Sequence, residues 1–129
     1  MSEGRRLISS GSPYETRYGY SRAVAVGGSC WVAGTTDAGA DGTSLHPGDA
    51  AGQARAAFGI AVGALEEAGF GVGDVVRTRM YIVREGDAVA VAEVSGELFG
   101  AVRPASTLVR VVELIDPSLI VEVELEARR

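Results

Sequence analysis

The chain has 129 residues, 47% of them apolar, and a formal charge of −5. That length and apolar share suffice for one domain with a continuous core, and the negative long-range field argues against unspecific attraction to nucleic acid or anionic lipid. Every cation is an arginine, scattered from Arg5 to Arg129 with few aromatic neighbours, so no basic stacking platform for a nucleic-acid strand stands out.

Residues 1–22 are polar and rich in turn formers, with a short strand expected around Leu7 and Ile8 and a loop after it. Apolar runs from Ala23 to Val26 and from Cys30 to Gly34 flank Gly27-Gly28-Ser29, which predicts a hairpin because glycine supplies the positive φ of a tight turn. The stretch from Thr35 to Gly48 has no periodicity and reads as an exposed loop. A helix follows: Asp49 is its N-cap, Ala54, Ala57, Phe58, Ala61, Leu65 and Ala68 recur at helical spacing, and Gly69 suits its exit. Val75 to Val83 reads as a strand with one polar face, and a second helix is expected from about Asp87 to Phe99, stopped by Gly100.

Two strands close the chain, Thr107 to Leu114 and Leu119 to Leu125, joined by the turn Asp116-Pro-Ser. In the last strand Leu119, Val121, Val123 and Leu125 face one way and Glu122, Glu124 and Glu126 the other. The expected order is β-β-β-α-β-α-β-β, a single α+β domain spanning 1–129 with both helices on one face of a mixed sheet. Two layers leave the second sheet face uncovered, so other copies of the same chain are expected to bury it, at least in part.

The lone Cys30 precludes an internal disulfide, the first six residues hold no apolar signal stretch, and no apolar run approaches the roughly 20 residues that span a bilayer. A cytoplasmic protein is expected, not an integral membrane one. With one His and one Cys there is no metal-ligand constellation, and without lysine there is no P-loop. His46, in Leu45-His-Pro-Gly48, reads as a solvated turn residue, too poor a base for a serine triad. Cys30 reads as a small core residue. Polar residues at strand ends remain: Tyr20-Ser21-Arg22, Thr35-Thr36, Arg103, Ser106-Thr107 and Glu122, each of which also has an ordinary capping or surface role open to it.

Five blocks in order carry a resemblance: Tyr20-Ser-Arg-Ala-Val-Ala-Val-Gly, Trp31-Val-Ala-Gly-Thr, Ala64-Leu-Glu-Glu-Ala-Gly with Val72-Gly-Asp-Val-Val-Arg-Thr, Arg103-Pro-Ala-Ser-Thr-Leu-Val, and Leu119-Ile-Val-Glu-Val-Glu. Together, from Tyr14 onward, they resemble the YjgF/Rid family, also named for reactive-intermediate deaminases, UK114 and L-PSP. The resemblance implies a chorismate-mutase-like fold and a homotrimer with small-molecule clefts between subunits. For its deaminase branch it implies hydrolysis of 2-iminobutanoate- or 2-iminopropanoate-like enamines and imines to a 2-oxo acid and ammonia, without metal or cofactor.

In that branch a Pro-Ala-Arg-Ser sequence places an arginine whose planar fork clamps the substrate carboxylate. Here the stretch is Pro104-Ala105-Ser106-Thr107, with Ser106 where the arginine is expected. Losing such a partner from a desolvated charge costs about 2–5 kcal/mol, so specificity is expected to be altered. The family tyrosine and serine match Tyr20 and Ser21, and the glutamate credited with orienting or activating water matches Glu122. The helix asparagine falls on Ala92 and the Ser-Gly-Gln turn on Ala33-Gly34-Thr35. The resemblance thus implies catalytic roles for Glu122 and Thr107 and substrate contacts for Tyr20, Ser21, Thr35, Arg103, Ser106 and Leu108, with Arg103 or Arg22 as alternative replacements for the missing cation. A non-catalytic metabolite-binding or regulatory trimer is the other reading, and an endoribonuclease or translation inhibitor a third that the charge disfavours.

Overall fold

The computed structural model describes residues 4–129 as one six-stranded mixed sheet carrying two long helices. In chain order the elements are β1 (Arg5–Ile8), α1 (Pro13–Tyr18), β2 (Ala23–Val26), β3 (Ser29–Thr35), α2 (Ala50–Glu67), β4 (Val75–Ile82), α3 (Ala88–Phe99), β5 (Ala105–Arg110) and β6 (Val121–Arg128). The strands lie in the order β1-β2-β3-β6-β4-β5, with every pairing antiparallel except β4 with β5.

Helix α2 starts at Asp49, whose carboxylate accepts the Gly52 N–H, and ends where Gly69 turns left-handed at φ 86°. It packs on β3 and β6, while α3 packs on α2 and β4, so both lie on one sheet face. Ala54, Ala57, Phe58, Ala61 and Leu65 are buried there against Val32, Met80, Val123 and Leu125, and the Phe58 and Phe99 rings meet edge to face with centroids 5.2 Å apart. The alanines let the helix approach the sheet closely, and the two phenylalanines fill the space between helices.

The alternation expected in the last strand holds: Val121, Val123, Leu125 and Ala127 are buried beneath the helices, and Glu122, Glu124 and Glu126 stand on the uncovered face. Opposite them on β4 are Tyr81, Arg79 and Arg77. Arg79 Nη1 lies 3.3 Å from Glu126, and the Tyr81 hydroxyl donates to Glu124. Val26, Trp31 and Val109 remain exposed on the same face.

Four details correct the expected layout. The loop expected after the first strand contains α1, only six residues long and without an apolar stripe; Ser12 caps it by accepting the Tyr14 N–H, Pro13 opens it and Gly19 closes it at φ 72°. The element order is therefore β-α-β-β-α-β-α-β-β. The closing strands begin and end elsewhere, at 105–110 and 121–128, and they do not neighbour each other: β6 inserts between β3 and β4, leaving β5 as a free edge. Pairing to two partners holds the final strand to Arg128, whereas residues 111–120 leave the sheet. Lastly, His46 is more than a solvated turn residue. Its Nδ1 lies 2.9 Å from Asp37 Oδ2, and Asp37, fully buried, also accepts from Ser44 Oγ and the His46 N–H. Among the described residues no helix is long and apolar enough to cross a membrane.

Candidate functional site

The sequence-selected residues divide into two groups at opposite sides of the sheet. The first gathers where β2, β3 and β6 meet. Tyr20 and Ser21 follow the left-handed exit of α1; the Tyr20 ring is exposed and lies under the Arg22 guanidinium, 5.9 Å from its carbon to the ring centroid. Arg22 Nη2 donates to the Gly34 carbonyl at 2.8 Å. Glu122 comes next, because β6 pairs with the end of β3 across a register shift between Val32 and Thr35.

That irregular stretch explains the close approach of Gly34. A Cβ at Gly34 would overlap Glu122 Oε2 and sit 3.2 Å from its carboxyl carbon, so only glycine lets the side chain lie flat against β3. Burial pushes the Glu122 carboxyl above its ordinary pKa, the neighbouring Glu124 adds to the rise, and Arg22 opposes it. A carboxyl so tuned holds a proton more readily than one in water, which suits exchange of a proton with a substrate nitrogen or a water. Nearby, Glu15 is buried; burial raises its pKa, but hydrogen bonds from the Ser10 side chain and backbone outweigh that and hold it below the ordinary value. Thr35 is buried at the end of β3 with its hydroxyl donating to the Ala33 carbonyl, so its side chain is directed into the chain and away from Glu122.

The second group lies on the free edge. Arg103 follows α3 in a left-handed conformation at φ 54°, its N–H donating to the Phe99 carbonyl and its side chain exposed. Ser106 pairs with Thr78, which faces the helices, and the Thr78 hydroxyl donates to Ser106 Oγ at 2.9 Å. Leu108 shares that face and is half-buried against the core. Thr107 points the other way, its hydroxyl 3.5 Å from Arg77 Nη2.

Glu122 is level with Tyr81 and Val109, whereas Thr107 is level with Arg79 and Glu124. Two strand spacings and two residues along the strand put the Glu122 and Thr107 backbones roughly 12 Å apart. Ser106 is further removed, on the opposite face. One chain therefore holds two separate groups of candidate residues: Tyr20, Arg22, Gly34 and Glu122 in one, Arg103 with residues 106–108 in the other. Glu122 and Tyr20 stand out in the sequence, whereas Gly34 enters only as the retained middle residue of a Ser-Gly-Gln turn otherwise replaced by Ala33 and Thr35; its signal is the glycine ending Trp31-Val-Ala-Gly, where a strand has no turn to make.

A six-stranded mixed sheet with two helices on one face and a desolvated carboxylate on the other is a chorismate-mutase-like α+β domain. Among solved structures, a member of the YjgF/YER057c/UK114 family from Mycobacterium tuberculosis superposes with a TM-score of 0.86 at 42% identity, covering 97% of this chain and 99% of that one. The family model described as Endoribonuclease L-PSP matches residues 11–129. An uncharacterised protein of Streptomyces coelicolor is 44% identical over 129 residues, 99% of this chain and 95% of that protein, and a RutC family protein of Pyrococcus abyssi is 33% identical over 108 residues, 84% of this chain and 83% of that protein. The chain belongs to the L-PSP family, also called YjgF/UK114 or Rid.

Proposed function

We propose that this chain acts in the cytoplasm as a homotrimer whose inter-subunit clefts hydrolyse the C=N bond of enamine or imine intermediates, with a specificity altered by Ser106. The observation that carries the reading is the desolvated Glu122 carboxyl with its raised pKa, placed against Gly34 on an uncovered sheet face. Glu122 takes a proton from water as the water oxygen bonds to the imine carbon and the C=N electron pair moves to nitrogen, and returns it to that nitrogen to give the carbinolamine; it then takes the carbinolamine hydroxyl proton and passes it to the nitrogen as the C=O bond forms and the C–N bond breaks. The products are a 2-oxo acid and ammonia. Nothing in this cycle needs a metal or cofactor, since the carboxyl both accepts and donates the proton.

Assembly follows from the division of the site. The free edge of β5 bears Ser106 and Thr107, and the segment after it exposes Val112 and Ile115 at 94% and 92%. Side chains that apolar and that bare favour burial against another copy, which would bring one chain's 103–108 segment to its neighbour's Glu122. Sedimentation velocity is expected to give a trimer of about three times the 13.3 kDa chain mass; a monomer at micromolar concentration would remove this arrangement.

Turnover tests the chemistry. Wild type should hydrolyse 2-iminopropanoate more slowly than 2-imino acids with larger side chains, and Ser106→Arg, whose guanidinium takes more room than the hydroxyl, should shift the kcat/KM ratio by about 10-fold or more toward the smallest acid. Wild-type rates matching those of arginine-bearing relatives would refute the altered specificity. The serine at 106 and the alanine at 92 favour a second reading, a non-catalytic metabolite-binding trimer, which predicts saturable binding of a 2-oxo acid with no imine turned over. The family model's description names an endoribonuclease, but the net charge of −5 works against RNA binding.

A further inference from the structure

We propose that Arg22 is the anion-binding residue of this cleft, receiving the carboxylate of a small 2-imino or 2-oxo acid beside Glu122, so that the cation is supplied from the glutamate wall and not from position 106. The assignment rests on the cleft proposed above and extends it to the class of ligand.

Three observations single out this guanidinium. Arg22 is half-buried yet has no carboxylate within ion-pair distance among the described residues, unlike Arg55, Arg77, Arg79 and Arg84, which all have one. Its Nε–H, like that of the carboxylate-paired Arg77, is buried without a hydrogen-bond acceptor. A buried donor left unpaired costs about 1–3 kcal/mol, a cost that a bound anion would remove. Finally, the group is held in place: Nη2 donates to the Gly34 carbonyl and the Tyr20 ring lies against the guanidinium.

The geometry suits an acid whose reacting carbon is adjacent to its carboxylate. Gly34 touches both partners, with its carbonyl on Arg22 and its Cα against the Glu122 carboxyl. A carboxylate on Arg22 therefore brings a neighbouring C=N or C=O carbon toward Glu122. Arg103 has no such placement in the chain, being exposed on the far edge. Ser106 is then free to face the substrate's other end, where a hydroxyl takes less room than a guanidinium.

Binding tests the assignment without requiring turnover. Titrating the protein with 2-oxobutanoate, and with butan-2-one as a neutral analogue, should give measurable affinity for the acid and much less for the ketone. Arg22→Gln should weaken the acid by about 30-fold or more, and Arg22→Lys, which keeps the charge without the fork, should recover part of it. In the wild type the Arg22 Nε–H resonance should shift on titration, a readout that stands even where a variant fails to fold. Unchanged affinity in a folded Arg22→Gln, equal binding of butan-2-one, or a shift confined to Arg103 would overturn the proposal. Acid binding that depends on Arg22 while no imine is turned over would instead remove the hydrolase reading and leave this one standing.

Discussion

Glu122→Gln is expected to lower kcat for hydrolysis of 2-iminobutanoate by about 10²- to 10⁴-fold, the usual contribution of a positioned general acid or base. The substitution keeps shape and polarity against Gly34 but cannot accept and return a proton. Affinity for the product 2-oxo acid should change far less, because the loss falls on the transition state and not on ground-state binding. Initial rates with imine generated in situ, corrected for the uncatalysed reaction, measure the first; a product titration measures the second. A Gln variant that retains the wild-type rate would exclude Glu122 from the chemistry.

The pH dependence separates this role from a structural one. Burial, then Glu124, raises the Glu122 pKa above its ordinary value, against the opposing charge of Arg22. A folded-state pKa above the unfolded one means that the contribution of this group to stability is fully present below the unfolded value and is lost as pH rises through the folded value. At neutral pH Glu122 therefore weakens the fold slightly, and Glu122→Gln should leave thermal stability unchanged or higher while the rate collapses. If Glu122 is the base for the attacking water, the wild-type rate should fall as the solution is acidified through that raised pKa.

The largest effect on stability is expected from Gln53→Leu. Gln53 on α2 is fully buried, and its amide serves four backbone groups: Nε2 donates to the carbonyls of His46, at 3.2 Å, and Ser118, at 2.9 Å, while Oε1 accepts the N–H groups of Ile120 and Val121, at 2.9 and 3.3 Å. Leucine fills similar space and satisfies none of them. Each buried group left unpaired costs about 1–3 kcal/mol, so even with partial relaxation a loss of about 3–5 kcal/mol follows. Urea unfolding should show the midpoint fall at an unchanged slope, and a loss under about 1 kcal/mol would mean that water replaces the amide. Because Val121 opens β6 one residue before Glu122, this amide also fixes the entry of the strand that carries the site.

The same residue marks the boundary between what the linear chain conveys and what it does not. Local patterns sufficed wherever one periodicity acts on neighbouring residues. Asp49 and Gly69 bound a helix with a buried alanine face, and strict alternation put Val121, Val123 and Leu125 on one side of a strand and three glutamates on the other, as observed. Five short motifs in order placed Glu122 within the family pattern. Helix α1 was legible only through its caps, Ser12 and Gly19, because six residues are too few to show an apolar stripe.

Long-range pairing decided the rest. The last two strands adjoin in sequence, yet β6 lies between β3 and β4, where both its edges are paired and its apolar side meets α2, and β5 is left at the margin. That arrangement puts Ser106 and Thr107 on opposite faces of an edge strand, sets Glu122 two strands away from them, and draws Arg22 to the Gly34 carbonyl. The chain by itself determined which side of each strand is apolar and which residue types are present for chemistry. Only the tertiary structure decided which of them meet, since hydrogen bonds and packing between segments far apart in sequence set the strand order, and with it the separation of the two groups of candidate residues.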